Sequence, residues 1–132
     1  MRLVKGETIS IEYQVTEADR PAFEGETVHN VCSTYVLCRE IEWCTRQFVF
    51  KVKNEDEEGI GTSLTIDHLA PALPGEVIVI TGTVDMWDGK ELICSYEARV
   101  GARIVATGKT GQKLLKRQRL AEIFSKFEGN GR

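Results

Sequence analysis

The sequence lacks the features of a membrane or exported protein. It has no apolar run close to the roughly 20 residues that span a bilayer. Its first six residues contain neither the apolar stretch nor the small-residue cleavage site of a secretory signal. Positive charge is not in excess either, since the formal net charge is −3, which argues against general nucleic-acid binding. We therefore expect a cytoplasmic protein with no membrane or nucleic-acid partner.

Cysteine and histidine are too sparse to indicate a metal site. The four cysteines include no Cys-x-x-Cys pair, so neither a zinc knuckle nor a redox motif is indicated, and we expect no bound metal. A chain of 132 residues without an export signal does not need disulfides. We expect reduced cysteines that pack mostly as small buried hydrophobic residues. The alternative is a nucleophilic cysteine, which would have to use His29 or His68 as its partner.

The composition and patterning that are present predict one domain. The chain is 42% hydrophobic and long enough for a single core, so we treat residues 1–132 as one unit. Apolar and polar residues alternate over residues 8–16, which predicts a half-buried strand. The polar residues 17–30 predict a loop. Residues 34–53 contain no glycine or proline and are rich in apolar residues, which predicts a long, largely buried helix, and residues 54–59 predict an acidic turn.

The remainder of the chain has the pattern of strands. Four strands are predicted, over residues 60–69, 76–87, 90–100 and 101–114. Asp88-Gly89 predicts a type I′ hairpin turn. Residues 116–127 predict a short amphipathic helix, and the residues after it are expected to fray. The apolar face of this helix is formed by Leu120, Ile123, Phe124 and Phe127. The order of elements predicts an α+β fold, in which one long helix is wrapped by an antiparallel sheet of about five strands. Such a sheet leaves an edge strand exposed, which a second copy of the chain could cover.

Two ionisable residues are candidates for a reactive site. His68 lies at a predicted strand end, beside Pro71 and Pro74, which hold the segment in a defined shape. Glu42 lies between Ile41 and Trp43 in the most apolar part of the helix, where burial would raise its pKa and mark a functional carboxylate. The alternatives are a hydrogen-bonded loop histidine and a glutamate that faces solvent.

Other candidates are less specific when taken alone. Thr34 lies at the start of the predicted helix, where it could serve as an N-cap. Gly61 begins a predicted strand and could expose a backbone N–H to a ligand. Lys109 and Lys113 belong to a locally basic segment, which is typical of a solvated face but could also bind the phosphates of coenzyme A.

Two segments carry motifs that occur together in a known family. Residues 33–44 place a threonine eight residues before a Glu-Trp pair on the long helix. Residues 61–75 contain a Gly-Thr strand that leads into His-x-Ala-Pro and a Pro-Gly turn. Together they resemble the fluoroacetyl-CoA thioesterase family of hot-dog proteins, and the order of the remaining strands fits as well.

The resemblance implies a hot-dog fold, a homodimer and active sites at the subunit interface. It assigns the family's threonine, glutamate and histidine to Thr34, Glu42 and His68, and the glycine that lines the acyl site to Gly61. The implied activity is hydrolysis of an acyl-CoA thioester. No cofactor is implied, because coenzyme A is part of the substrate.

The sequence departs from the family in two places. Gln112 stands where the resemblance leads us to expect a late arginine, so we expect Lys109 or Lys113 to make the contacts with coenzyme A. The loop over residues 21–30 is short and offers no counterpart of the family's aromatic lid. Fluoroacetyl-CoA is therefore not predicted as the substrate.

The expected mechanism uses Glu42 as a nucleophile or as a general base for water, with His68 polarising or protonating the reacting groups. Thr34 would position the carboxylate or the thioester, and a backbone N–H near Gly61 would stabilise the oxyanion. Two other functions remain open at this point. One is a non-catalytic module that binds acyl-CoA, and the other is a hot-dog dehydratase or hydratase.

Overall fold

The long helix forms where the sequence is free of glycine and proline. In the computed structural model, which describes residues 2–130, helix α1 spans Thr34–Val52, in agreement with the prediction. Ser33 caps its start, because the Ser33 side chain accepts a hydrogen bond from the Val36 N–H at 3.1 Å. The face that packs on the sheet is formed by Val36, Leu37, Ile41, Cys44, Thr45, Phe48 and Val49. The opposite face, which carries Glu42 and Trp43, is exposed.

The alternating segments form the strands of one curved antiparallel sheet. The strands of the molecule are β1 (Thr8–Gln14), β2 (Ala22–Phe23), β3 (Glu26–Thr27), β4 (Glu57–Leu64), β5 (Asp67–His68), β6 (Val77–Trp87), β7 (Glu91–Val100) and β8 (Arg103–Lys116). Five of them form the main sheet in the order β1-β6-β7-β8-β4, and β5 pairs with a further part of β8. Strands β1 and β4 are therefore its two edges, and α1 packs on its inner face. This is the hot-dog arrangement that the resemblance implied.

Strand β4 begins earlier and is less regular than predicted. It begins at Glu57, because residues 57–59 pair with the end of β8 instead of continuing the acidic turn. The predicted strand over residues 60–69 is interrupted after Leu64, and pairing with β8 resumes at β5. A bulge leaves Thr62 without a partner in the β4–β8 ladder. This irregular stretch follows directly on Gly61.

The segment over residues 17–30, which was predicted to be a loop, is partly ordered into regular structure. A short 3₁₀ turn covers Glu17–Asp19, and β2 and β3 form a two-stranded hairpin. Its turn residues Glu24 and Gly25 both have positive φ, 53° and 83°, which is what a tight hairpin of this kind requires. The prediction of a plain loop was wrong there, because two-residue strands carry no detectable alternation.

The hairpin at Asp88-Gly89 is present, but its predicted turn type was wrong. A type I′ turn needs positive φ at both central residues, and in the described part of the chain Glu24 is the only non-glycine residue with positive φ. The Asp88 carboxylate instead accepts hydrogen bonds from the N–H groups of Lys90 and Glu91 at 2.9 and 2.8 Å. These bonds stabilise a three-residue loop with Gly89 in the left-handed conformation.

Helix α2 spans Arg117–Asn130 and packs on the sheet less closely than its pattern predicted. Leu120 of its predicted apolar face is buried, whereas Phe124 and Phe127 are exposed. Gly129 is helical, and the rest of the predicted fraying end, residues 131–132, lies outside the described residues together with residue 1. No helix of the described part is long and apolar enough to cross a bilayer.

Candidate active site

Thr34 and His68 meet at the N-terminal end of α1. Thr34 is the first residue of α1, and His68 ends β5, which pairs with β8 through His68 and Ala106. The Thr34 Oγ1 and His68 Nδ1 atoms are 2.9 Å apart, within hydrogen-bond distance. Both side chains are exposed. Since Ser33 caps the helix, the Thr34 hydroxyl is free to fix the orientation of the His68 imidazole. We refer to Thr34 and His68 as the Thr34–His68 pair.

The segment that follows His68 is anchored on both sides. The Leu69 N–H donates to the Val105 carbonyl at 2.8 Å, and the Ala72 carbonyl accepts from the Cys32 N–H at 2.7 Å. These bonds connect the proline-containing segment to β8 and to the chain just before α1. The expectation that His68 lies beside a rigid turn is therefore met by backbone hydrogen bonds as well as by proline.

Glu42 and Gly61 meet halfway along α1. A Cβ atom placed on Gly61 would lie 3.0 Å from Glu42 Oε1, so the carboxylate lies directly over this glycine. The two residues, which we refer to as the Glu42–Gly61 pair, line a cleft of about 190 Å³ together with residues 62–64 and 110–112. We call it the Glu42 cleft. Glu42 is exposed in the single chain, so the burial considered from the sequence is not found there.

The Glu42 carboxylate has no cationic partner among the described residues. Arg46, one helical turn further on, pairs instead with Glu58 at 2.7 Å. Arg39 pairs with Glu40 at 2.9 Å. The lone pairs of the Glu42 carboxylate are therefore not taken up by either of these two arginines.

A buried polar network lies beneath the Glu42–Gly61 pair. Thr45 is fully buried, and Thr110 and Gln112 are each 2% exposed. The Thr45 hydroxyl accepts a hydrogen bond from Thr110 Oγ1 at 3.0 Å and from Gln112 Nε2 at 3.4 Å, and it donates to the Glu42 carbonyl at 3.4 Å. The network connects the helix backbone at Glu42 to β8. Sequence analysis missed it; the available signal was a threonine among apolar helix residues, three positions after Glu42.

The two pairs do not contact each other within one chain. Thr34 and Glu42 are eight residues apart on α1, which corresponds to about 12 Å along the helix axis. No hydrogen bond or ion pair joins the Glu42 carboxylate to His68 in the described part of the molecule. The four residues selected from the sequence therefore form two separate pairs.

Lys109 and Lys113 lie on the other face of the sheet. Thr110 and Gln112 point toward α1, so Lys109 and Lys113, the residues just before and just after them, point away from it. Lys109 is paired with Asp85 at 3.7 Å, and its side chain is 66% exposed. The structure does not bring either lysine into the Glu42 cleft of its own chain.

The cysteines are free, as expected, and Cys32, Cys44 and Cys94 are buried. Burial raises the pKa of Cys32 and Cys44 to about 11 and that of Cys94 to about 12. Cys38 is half-buried, and its pKa is also raised, first by burial and then by Glu42. Since the thiolate is the nucleophile, these shifts argue against a cysteine-based mechanism.

Comparison with known families assigns the chain that carries these two pairs to a family. A model of the fluoroacetyl-CoA-specific thioesterase family matches residues 15–118, a span that includes all four residues of the two pairs. The chain belongs to this family. No curated protein sequence matches the chain significantly.

Solved structures similar to this thioesterase-family chain agree on the fold. A hypothetical protein of Thermus thermophilus, described as a thioesterase superfamily member, is 27% identical, with 98% of this chain and 97% of that chain covered and a TM-score of 0.91. A fluoroacetyl-CoA thioesterase is 16% identical over 96% and 98% of the two chains, with a TM-score of 0.87. A hot-dog-like protein of Thermanaerovibrio acidaminovorans is 21% identical over 93% and 92%, with a TM-score of 0.83. The predicted hot-dog fold is confirmed.

Proposed function

We propose that this thioesterase-family chain hydrolyses an acyl-CoA thioester to a free acid and coenzyme A, with Glu42 and His68 as catalytic residues and Thr34 as the residue that orients His68. The observation that carries the proposal is the Glu42 carboxylate, which lies over Gly61 in a small cleft without a cation to neutralise it. An imidazole held at 2.9 Å by a threonine supplies the second ionisable group. Membership of the family supports thioester hydrolysis as the reaction class.

The proposed enzyme is a homodimer in which each active site takes one pair from each protomer. β4 is an edge strand with an unpaired side, and it carries Gly61 at that edge. A two-fold axis beside β4 makes two α1 helices antiparallel neighbours. The Thr34–His68 pair of one protomer then approaches the Glu42–Gly61 pair of its partner. The two pairs, which are far apart within one chain, are in this way brought together across the interface.

The proposed reaction begins with a water molecule next to Glu42. The carboxylate takes a proton from the water, and the water oxygen attacks the thioester carbonyl carbon. A backbone N–H at the bulge after Gly61 stabilises the oxyanion. The C–S bond then breaks, the acid is released, and the coenzyme A thiolate takes up a proton delivered through His68. Direct attack by Glu42, followed by hydrolysis of the resulting anhydride, gives the same products.

Lys109 and Lys113 remain the proposed contacts of the coenzyme A phosphates. Because exposed cation–anion contacts contribute little, replacing either lysine by alanine is expected to raise KM about two- to fivefold. The same variants should keep the KM of acyl-pantetheine esters, which lack the nucleotide phosphates. An equal change for both substrate types would contradict this assignment.

The central test is Glu42→Gln, which keeps the size of the side chain and removes its charge. We expect kcat/KM for thiol release from acyl-CoA to fall at least about 100-fold. The matched control is Glu40→Gln, two positions away on the same helix, where the carboxylate is paired with Arg39. This control should keep turnover close to wild type.

Three outcomes would overturn the proposal. Wild-type turnover in a folded Glu42→Gln variant would remove Glu42 from the mechanism. Tight acyl-CoA binding without any released thiol in the wild type would indicate a binding module. Hydration of an enoyl-CoA that is faster than thiol release would indicate a hydratase.

A further inference from the structure

Gln112 is a buried polar side chain at the base of the Glu42 cleft. It is 2% exposed and lies opposite Gly61 in the β4–β8 ladder. Its side chain points to the face of the sheet on which α1 packs, as does that of Thr110 two residues earlier. Gln112 is therefore next to the glycine over which the Glu42 carboxylate lies.

The hydrogen-bonding capacity of the Gln112 amide is only partly used. Its Nε2 group donates to Thr45 Oγ1 at 3.4 Å, whereas no hydrogen bond reaches its Oε1 atom from any described residue. The Thr45 hydroxyl already accepts twice and donates once, so it offers nothing more. No buried side-chain polar atom of the described residues lacks a partner, and the Oε1 atom must therefore reach open space. The open space beside Gln112 is the Glu42 cleft.

The size and lining of the cleft limit what it can hold. Its volume of about 190 Å³ is that of about six non-hydrogen atoms, at about 30 Å³ each. A short acyl group fits that volume. The cleft also carries the hydroxyl-bearing residues Thr62 and Ser63, so its lining is polar on the side of β4 as well.

We propose that Gln112 makes the enzyme selective for short acyl groups that carry a hydroxyl group over alkyl groups of the same length. The free Oε1 atom of the amide accepts a hydrogen bond from that hydroxyl while Glu42 acts at the thioester carbonyl. An alkyl group in the same place displaces water from the amide and leaves it unpaired, which penalises binding. Sites built to bond a substrate hydroxyl reject the analogue that lacks it strongly. The inference rests on the proposed hydrolysis.

The test compares 3-hydroxybutyryl-CoA with butyryl-CoA, which differ by one hydroxyl group. For the wild type we expect kcat/KM to be about tenfold or more higher for the hydroxylated substrate. Gln112→Leu, which is close in size but apolar, should bring this ratio to about one. Gln14→Leu is the matched control, because Gln14 lies on β1 at the opposite edge of the sheet and should leave the ratio unchanged. The ratio is measured within each variant, so it does not depend on how much of the variant folds.

The outcomes separate this inference from the proposed function. A wild-type preference for butyryl-CoA, or an unchanged ratio in Gln112→Leu, would overturn the role of Gln112 and leave hydrolysis standing. If no coenzyme A is released from any substrate, hydrolysis is wrong, and the ratio is then taken from the dissociation constants of the same two esters. Equal dissociation constants in the wild type would overturn the inference as well.

Discussion

At the scale of single residues, two glycines set how closely α1 approaches β4. A Cβ atom on Gly59 would lie 2.9 Å from a Val49 methyl carbon, and one on Gly61 would lie 3.0 Å from Glu42 Oε1. The first contact concerns packing in the core, where the neighbour cannot easily move. The second concerns the exposed end of a flexible side chain. The absence of a side chain at Gly61 therefore affects the position of the Glu42 carboxylate more than it affects the stability of the fold.

Gly61→Ala is expected to displace the Glu42 carboxylate while leaving the fold intact. Because displacements of about 1 Å can cost up to about 100-fold in rate, we expect kcat for acyl-CoA hydrolysis to fall about tenfold or more. The midpoint of thermal unfolding should change little. Gly129→Ala is the control, since a Cβ atom there has no neighbour within 4 Å. Unchanged kcat in Gly61→Ala would mean that the carboxylate does not act from the position over this glycine.

Sequence reasoning at this scale succeeded where a residue belonged to a longer motif. Thr34 and His68 are 34 positions apart, and the family resemblance related them before their 2.9 Å contact was known. Their roles in catalysis stay predictions. Thr45 could not be found in this way, and Gln112 was noted only as standing where an arginine was expected, because the importance of both residues comes from register and burial. Which residue of β8 lies opposite Gly61 depends on the bulge at Thr62, and no local pattern indicates that bulge.

At the scale of secondary-structure elements, the exposed face of α1 is unusual in carrying large aromatic residues. Trp43 is 50% exposed and Phe50 is 44% exposed, and their rings pack edge to face at 5.9 Å. The adjoining edge of β4 is also uncovered. An apolar helix face beside an unpaired strand edge offers a second copy of the chain both apolar contact and backbone hydrogen bonds.

Trp43→Lys tests whether this face forms the dimer. We expect the wild type to be a dimer by light scattering, and Trp43→Lys to be a monomer, because each protomer would then bury an unpaired lysine charge in the interface. Thiol release should fall with dimerisation. Phe127→Lys is the control, since Phe127 is 73% exposed and lies on α2, which is not one of the two elements proposed to form the interface. A dimeric Trp43→Lys variant, or a fully active monomer, would contradict the proposed assembly.

The long helix and two of the long strands were predicted accurately from the sequence, whereas the two-residue strands were not. The helix over residues 34–53 and the strands over residues 76–87 and 90–100 agree with the structure to within one residue at each end. The hairpin β2–β3 was missed, since two residues cannot show a period. The start of β4 was placed three residues late, because Glu57 and Glu58 look like turn residues. They pair instead with the end of β8, a contact between distant parts of the chain.

At the scale of the whole molecule, the proposed two-fold symmetry would bring together the two pairs that one chain keeps apart. The Thr34–His68 pair lies at one end of α1, and the Glu42–Gly61 pair lies about 12 Å further along the helix axis. A two-fold operation creates two equivalent sites at once, each with one contribution from either chain. In this arrangement a monomer has both pairs and no complete site. Activity would then depend on protein concentration through the dimer equilibrium.

Mixed dimers of two inactive variants test this arrangement directly. In a dimer of one Glu42→Gln chain and one His68→Ala chain, a shared site combines the intact His68 of the first with the intact Glu42 of the second. Half of the dimers are mixed after random exchange, and each regains one of two sites, so we expect about a quarter of wild-type turnover. The control mixes Glu42→Gln chains with chains that carry both substitutions, which regain nothing in either arrangement. If each site lies within one chain, every site keeps one defect, and the mixture should be no more active than the separate variants.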